Sequence, residues 1–156
     1  MRLSVQTDYA LRTLMFLAAQ DGHHPINEIA RQYGISRNHL MKVAQRLAAN
    51  GYVDSVLGRG GGLKLAQPAQ KLNVGHVVRT FEDMGNFVEC FNAETNDCVV
   101  TPVCGLHRVL SDGLKAYLAY LDRFTIADLV GDREKFRRVL DTGPGLKRKR
   151  LRESDG

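Results

Sequence analysis

Three helix-periodic segments, two short strand-like runs around a glycine-rich tip and one long apolar helical stripe predict the fold class. It is mainly α with a small β-wing: a winged helix-turn-helix followed by a long helix. The telling features are the turn Tyr33-Gly34-Ile35 between two amphipathic segments, the tip Gly58-Arg59-Gly60-Gly61-Gly62, and the stripe running from Leu106 to Phe124.

The first helix is expected over residues 7–20, with Thr7 as cap and Leu11, Leu14, Met15 and Ala18 at helical spacing. After the turn Asp21-Gly22-His23-His24-Pro25, residues 26–33 form a short helix through Ile26, Ile29, Ala30 and Tyr33, stopped by Gly34. Ser36 caps a third helix whose apolar face is Leu40, Val43, Ala44, Leu47 and Ala48 and which ends at Asn50-Gly51. Tyr52 to Val56 and Leu63 to Ala66 read as strands, joined by the glycine-rich tip. Pro68 interrupts, and Val74, Val77, Val78 and Phe81 then mark a fourth helix capped by Asn73. Residues 85–105 have no period and hold all three cysteines. Leu106, Leu110, Leu114, Tyr117, Leu118, Leu121 and Phe124 form the long stripe, and Thr125 caps a short helix through Ile126, Leu129 and Val130. The domain reading is therefore 1–82 for the winged helix-turn-helix, 83–105 for the cysteine loop and 106–131 for the long helix with its short successor. A polar, basic and mobile arm is expected over 132–156, with the run Lys147-Arg148-Lys149-Arg150-Leu151-Arg152.

At 156 residues the chain is long enough for one core without disulfides. Its 22 Lys and Arg against 17 Asp and Glu leave a net charge of +5, which favours a polyanionic partner. No apolar run is long enough to span a membrane, and the first residues do not resemble a signal peptide, so a cytoplasmic protein is expected. Three cysteines, an odd number, do not suggest a disulfide framework.

The start of the third helix carries Ser36, Arg37, Asn38, His39 and Lys42, side chains that can donate to base edges or phosphates from a major groove. Arg59 at the tip suits a wing entering a minor groove. A bland solvated face would not combine the basic balance, the polar helix start and the arginine tip. A nucleotide phosphate loop is rejected, because Arg59-Gly60-Gly61-Gly62 lacks the Lys-Ser/Thr pair and opens a strand. Double-stranded DNA is thus the expected partner. The basic run can add phosphate contacts or simply be a solvated end.

Cys90, Cys98 and Cys104 sit in the aperiodic loop, where soft thiolates favour zinc or an iron–sulfur cluster. Their spacings are wider than the Cys-x-x-Cys of structural zinc and suit a loop wrapped round a multi-iron object. The same lack of Cys-x-x-Cys counts against a thiol-redox enzyme, and no enzymatic role is expected. Three sulfurs leave one ligand open. His107, Asp97 and Glu89 lie close in sequence, whereas His23, His24 and His76 show no ligand spacing.

Thr7-Asp8-Tyr9-Ala10-Leu11-Arg12, the stretch Gly34 to Val43, the Gly58–Gly62 tip and Glu89-Cys90-Phe91 with the two later cysteines resemble the Rrf family of bacterial winged-helix regulators over residues 1–131. Asn38-His39-Leu40-Met41-Lys42-Val43 and Thr101-Pro102-Val103-Cys104 are similar to its nitric-oxide-sensitive repressors. The resemblance implies a homodimer joined through the long helix and an iron–sulfur cluster on Cys90, Cys98 and Cys104, 4Fe–4S in preference to 2Fe–2S. It also implies a remaining ligand from Asp8 of the partner subunit and nitric oxide as the signal. Other features resemble iron-responsive and cluster-status-responsive members. These are the long gap between Cys90 and Cys98, the run Cys104-Gly105-Leu106, and His107 at a position that is a ligand in some relatives. Leu57 stands where relatives carry arginine, and Met41 replaces a glutamate used for site choice. An iron-responsive regulator and a winged helix with structural zinc are the alternatives.

Overall fold

The structure, a computed structural model, describes residues 3–142. Helix α1 spans Val5–Ala19, starting two residues earlier than the expected 7–20. Ser4 and not Thr7 is the cap: the Ser4 hydroxyl accepts the Thr7 backbone N–H, and Thr7 itself is fully buried. Helix α2 spans Ile26–Tyr33 and α3 spans Arg37–Ala49. Between them Gly34 takes the left-handed conformation, φ 67°, and its N–H bonds back to the end of α2. Ile35 then donates to the Ala30 carbonyl at 2.9 Å, which closes the turn.

The faces predicted to be apolar are buried together. Ala10, Leu14 and Phe16 of α1 meet Ile29 of α2 and Leu40, Val43 and Leu47 of α3 in one core. Strands β1, Val53–Val56, and β2, Gly62–Leu65, pair antiparallel with Val53 opposite Leu65. The wing is pinned to the segment before α2 close to its turn, where His24 and Leu63 exchange both backbone hydrogen bonds at 2.9 Å. Gly61 packs so closely on the Val56 carbonyl that any side chain there would collide with backbone.

Helix α4, Val74–Phe81, is capped by Asn73, whose side chain accepts the His76 N–H. It is tied to the far end of helix α5, Gly105–Leu121, by a two-pronged bond between Arg79 and Asp122 at 2.5 and 2.7 Å. Between α4 and α5 the chain makes three short 3-10 turns and no longer element. Only Leu118 of α5 is buried, while Leu106 and Val109 stand about 60% exposed. The long stripe is therefore a helix with an uncovered apolar flank in the single chain. Helix α6, Ile126–Val130, carries a full capping box between Thr125 and Asp128 and seats Ile126 in the core.

The arm expected over 132–156 is corrected over its first third. Arg133–Asp141 forms helix α7, capped by Asp132. Leu140 and Phe136 face the core. Arg133 and Arg137 donate to the Ala19 carbonyl at the end of α1, at 2.9–3.2 Å, and pair with Asp21. Two guanidiniums thus meet the unpaired carbonyls and negative dipole of a helix C-terminus, which accounts for the docking of so polar a segment. The basic run 147–152 lies outside the described residues. Among the described residues, no helix is long and apolar enough to cross a membrane.

Candidate functional site

Burial of Leu40, Val43, Ala44 and Leu47 fixes how α3 is turned. The opposite face then carries Arg37, Asn38, His39 and Lys42, all exposed, with Ser36 exposed just before them. Ser36 occupies the cap position, yet its side chain makes no capping bond and remains available outward. Arg59 is exposed on the wing turn. Among the described residues, Arg37, Lys42 and Arg59 form no ion pair, so their charge is uncompensated locally. The structure therefore presents the six nucleic-acid candidates outward from the turn, helix and wing that the sequence placed them on.

All three cysteines are free thiols: Cys90 and Cys104 are half-buried and Cys98 is exposed. Their loop is held by its own polar side chains. Glu89 accepts the Asp97 N–H, and Asn96 accepts the Cys98 N–H, each at 3.1 Å. Glu89 is thereby occupied in shaping the loop. His107, on the first turn of α5, meets the Phe91 ring edge-on at 5.1 Å, next to Cys90. Asp8 lies on the first turn of α1, paired with Arg12 of the same helix at 2.9 and 3.0 Å.

Among the described residues, no three His, Cys, Asp or Glu side chains gather as a site for a single ion. The fit to a cluster therefore rests on the donors themselves. Three free thiols in one loop supply the soft ligands that iron–sulfur chemistry takes, and none is engaged in a disulfide.

One hub was not signalled by any sequence motif. Glu82, where α4 gives way to the cysteine loop, accepts the Ser4 N–H at 2.7 Å and a short bond from the Thr7 hydroxyl. Arg46 of α3 donates to the Thr80 carbonyl and stacks on Phe81 at 4.7 Å, while the Tyr52 hydroxyl meets that of Thr80 at 2.8 Å. Burial pushes the Glu82 carboxyl up, but the bonds from Thr7 and Ser4 and the Arg46 charge outweigh it and hold it below the usual range. The root of the loop is thus bolted to the start of α1, the end of α3 and the base of the wing. These partners lie up to 78 residues away, beyond any local spacing pattern.

Comparison with known proteins places this arrangement. The Rrf2 family model, described as an iron-dependent transcriptional regulator, matches residues 3–132. The chain belongs to the Rrf2 family. Curated relatives of this Rrf2 protein include the HTH-type transcriptional regulator NsrR of Bacillus subtilis, 50% identical over 142 residues, spanning 90% of this chain and 97% of the relative. NsrR of Bacillus licheniformis is 44% identical, spanning 90% and 99%. Among solved structures, T. potens IscR superposes with a TM-score of 0.66 at 27% identity, covering 86% of this chain and 90% of its own. Oxidized CymR of Staphylococcus aureus, at 22% identity, shares the fold with a TM-score of 0.67, covering 84% and 97%. This Rrf2 chain is a transcriptional regulator with a winged-helix fold.

Proposed function

We propose that the protein is a homodimeric DNA-binding repressor that answers nitric oxide through an iron–sulfur cluster, of the 4Fe–4S type. Cys90, Cys98 and Cys104 are its ligands, with Asp8 of the partner subunit completing the set. When bound, the cluster supplies iron that is open to nitric oxide. The observation that carries the reading is the anchoring of the thiol-bearing loop: its root at Glu82 is hydrogen-bonded to the first turn of α1, and the adjacent Thr80 to α3. The identity with NsrR proteins over nine-tenths of the chain supports it.

The chain's own residues have separate tasks. The apolar flank of α5, through the exposed Leu106 and Val109 and the half-buried Leu110 and Leu114, pairs with its twin and sets the distance between two heads. Two copies of α3 then address successive major grooves, about 34 Å apart. Arg37, Lys42 and Arg59 provide phosphate affinity, and Ser36, Asn38 and His39 address base edges. Asp8 directly follows Thr7 and lies one turn after the cap Ser4, the two residues that hold Glu82. Its engagement by the partner subunit therefore bears on the same joint that positions α3. A shift of about 3–5 kcal/mol between two head arrangements switches occupancy.

The family description as iron-dependent favours a second reading, an iron-responsive regulator of the same fold. One sample separates the readings. Anaerobically purified protein is analysed for iron, sulfide, zinc and visible absorbance, then titrated with nitric oxide and, separately, with an iron chelator while operator binding is followed. Release by nitric oxide supports the first reading, and release by the chelator alone supports the second. A colourless protein with about one zinc per chain sinks both.

A further inference from the structure

The first turns of α1 and the outward face of α3 enclose an open groove of about 360 Å³, lined by Val5, Gln6, Tyr9, His39, Lys42 and Val43. We propose that this groove seats one backbone phosphate of the duplex read by α3, and that Gln6 and Tyr9 are DNA-contact residues. The inference rests on DNA binding alone and is independent of any cluster.

The lining has the chemistry of a phosphodiester site. Lys42 contributes a positive charge with no ion pair among the described residues. Tyr9 contributes a hydroxyl, and no described residue takes it as a hydrogen-bond partner, although its ring packs on the core. Gln6 is oriented: its amide oxygen accepts Arg46 at 3.4 Å, which leaves the amide NH2 as the free donor end. No carboxylate lines the groove. Asp8, the residue before Tyr9, is neutralised by Arg12 of its own helix. Val5 and Val43 close the rest of the groove and bring no side-chain acceptor that would repel a phosphate. His39 and Lys42 occupy the α3 face already turned toward the duplex. A phosphate there would lie between the reading helix and the helix behind it, where backbone contacts fix register.

The test uses the wild-type dimer and a duplex that it selects from a random pool under anaerobic conditions. Gln6→Leu and Tyr9→Phe each remove one hydrogen bond to a charged acceptor at each of the two half-sites, so each is expected to weaken binding of the dimer roughly a hundredfold. The loss should be equal on selected and scrambled duplexes, because a phosphate carries no sequence. Lys42→Met removes one phosphate contact per half-site and should lower the magnitude of the dimer's salt slope by about 1.8. In a methylphosphonate scan, the wild type is expected to lose affinity at one phosphate per half-site where the triple variant Gln6→Leu/Tyr9→Phe/Lys42→Met does not. Tyr9→Phe keeps the ring, and thermal melts show whether each variant is folded at the assay temperature. Single variants within twofold of wild type, or an unchanged scan for the triple variant, overturn the proposal. So does a loss that merely follows the folded fraction. A wild type that selects no duplex overturns the groove together with the DNA-binding reading.

Discussion

Replacing Glu82 should loosen the joint between the cysteine loop and the DNA-reading head, and the cost can be worked from its contacts. Glu82→Ala removes the acceptor of the Ser4 N–H and of the Thr7 hydroxyl. Thr7 retains the Ser4 hydroxyl at 2.9 Å, so only the Ser4 N–H is orphaned outright. A bond to a charged acceptor contributes about 1.5–3 kcal/mol, so one full loss and one partial loss total about 2–4 kcal/mol. For a chain of this size each kcal/mol moves the melting midpoint by about 3 °C, giving a fall of about 6–12 °C. Glu82→Gln keeps an acceptor oxygen and should lose about half of that. The pH dependence has a definite sign. The folded carboxyl is held below its ordinary value, so its stabilisation is complete above the unfolded value and disappears as pH falls through the folded one. Wild type and Glu82→Gln should therefore differ most near neutrality and converge as the pH falls through the lowered range of the folded carboxyl. Circular dichroism melts of reduced apoprotein from pH 3.5 to 7 measure both effects. An alanine variant melting within 2 °C of wild type, or a gap that widens toward acid, would refute the reasoning.

Other substitutions separate backbone, core and ligand roles. Gly34→Ala meets open space but sits at φ 67°, so its cost should be backbone alone, about 1–2 kcal/mol by urea titration, with Gly34→Asn milder. Leu40→Ala empties a fully buried position beneath the α3 reading face and should cost about 2–5 kcal/mol, lowering the melting midpoint by about 6–15 °C. Cys98 is exposed, so Cys98→Ala should leave the apoprotein within about 0.5 kcal/mol of wild type while abolishing visible absorbance in the anaerobic preparation. Asp8→Ala should retain colour but change the rate of cluster loss in air, followed by the decay of the same absorbance.

The head was legible because its signals are local. Gly34, the Asn73 cap and the Thr125 box each act within a few residues, and each stands in the structure where its chemistry puts it. The start of α1 was misplaced because Thr7, a plausible cap by type, is buried as a partner of Glu82, and the cap passes to Ser4. Helix α7 was missed because its sequence is polar; two arginines docking on the α1 terminus leave no apolar period, although Phe136 and Leu140 at i and i+4 were a usable clue. The cysteines were visible by type, but their arrangement depends on loop bonds from Glu89 and Asn96 that have no periodic signature. A ligand donated by another subunit, as proposed for Asp8, would leave no spacing to read in one chain.

The return of α6 and α7 to α1 has a mechanical consequence. The long spine is joined to the reading head by the outgoing α4, through Arg79 and Asp122, and again by the incoming C-terminal helices, through Ile126 and the Arg133–Arg137 pair on Ala19. A body mounted at one point swivels and dissipates a twist, whereas a body mounted at two carries it through as a change of pitch. In the proposed dimer, torsion applied to one spine by its twin would therefore arrive at the duplex as a tilt of α3.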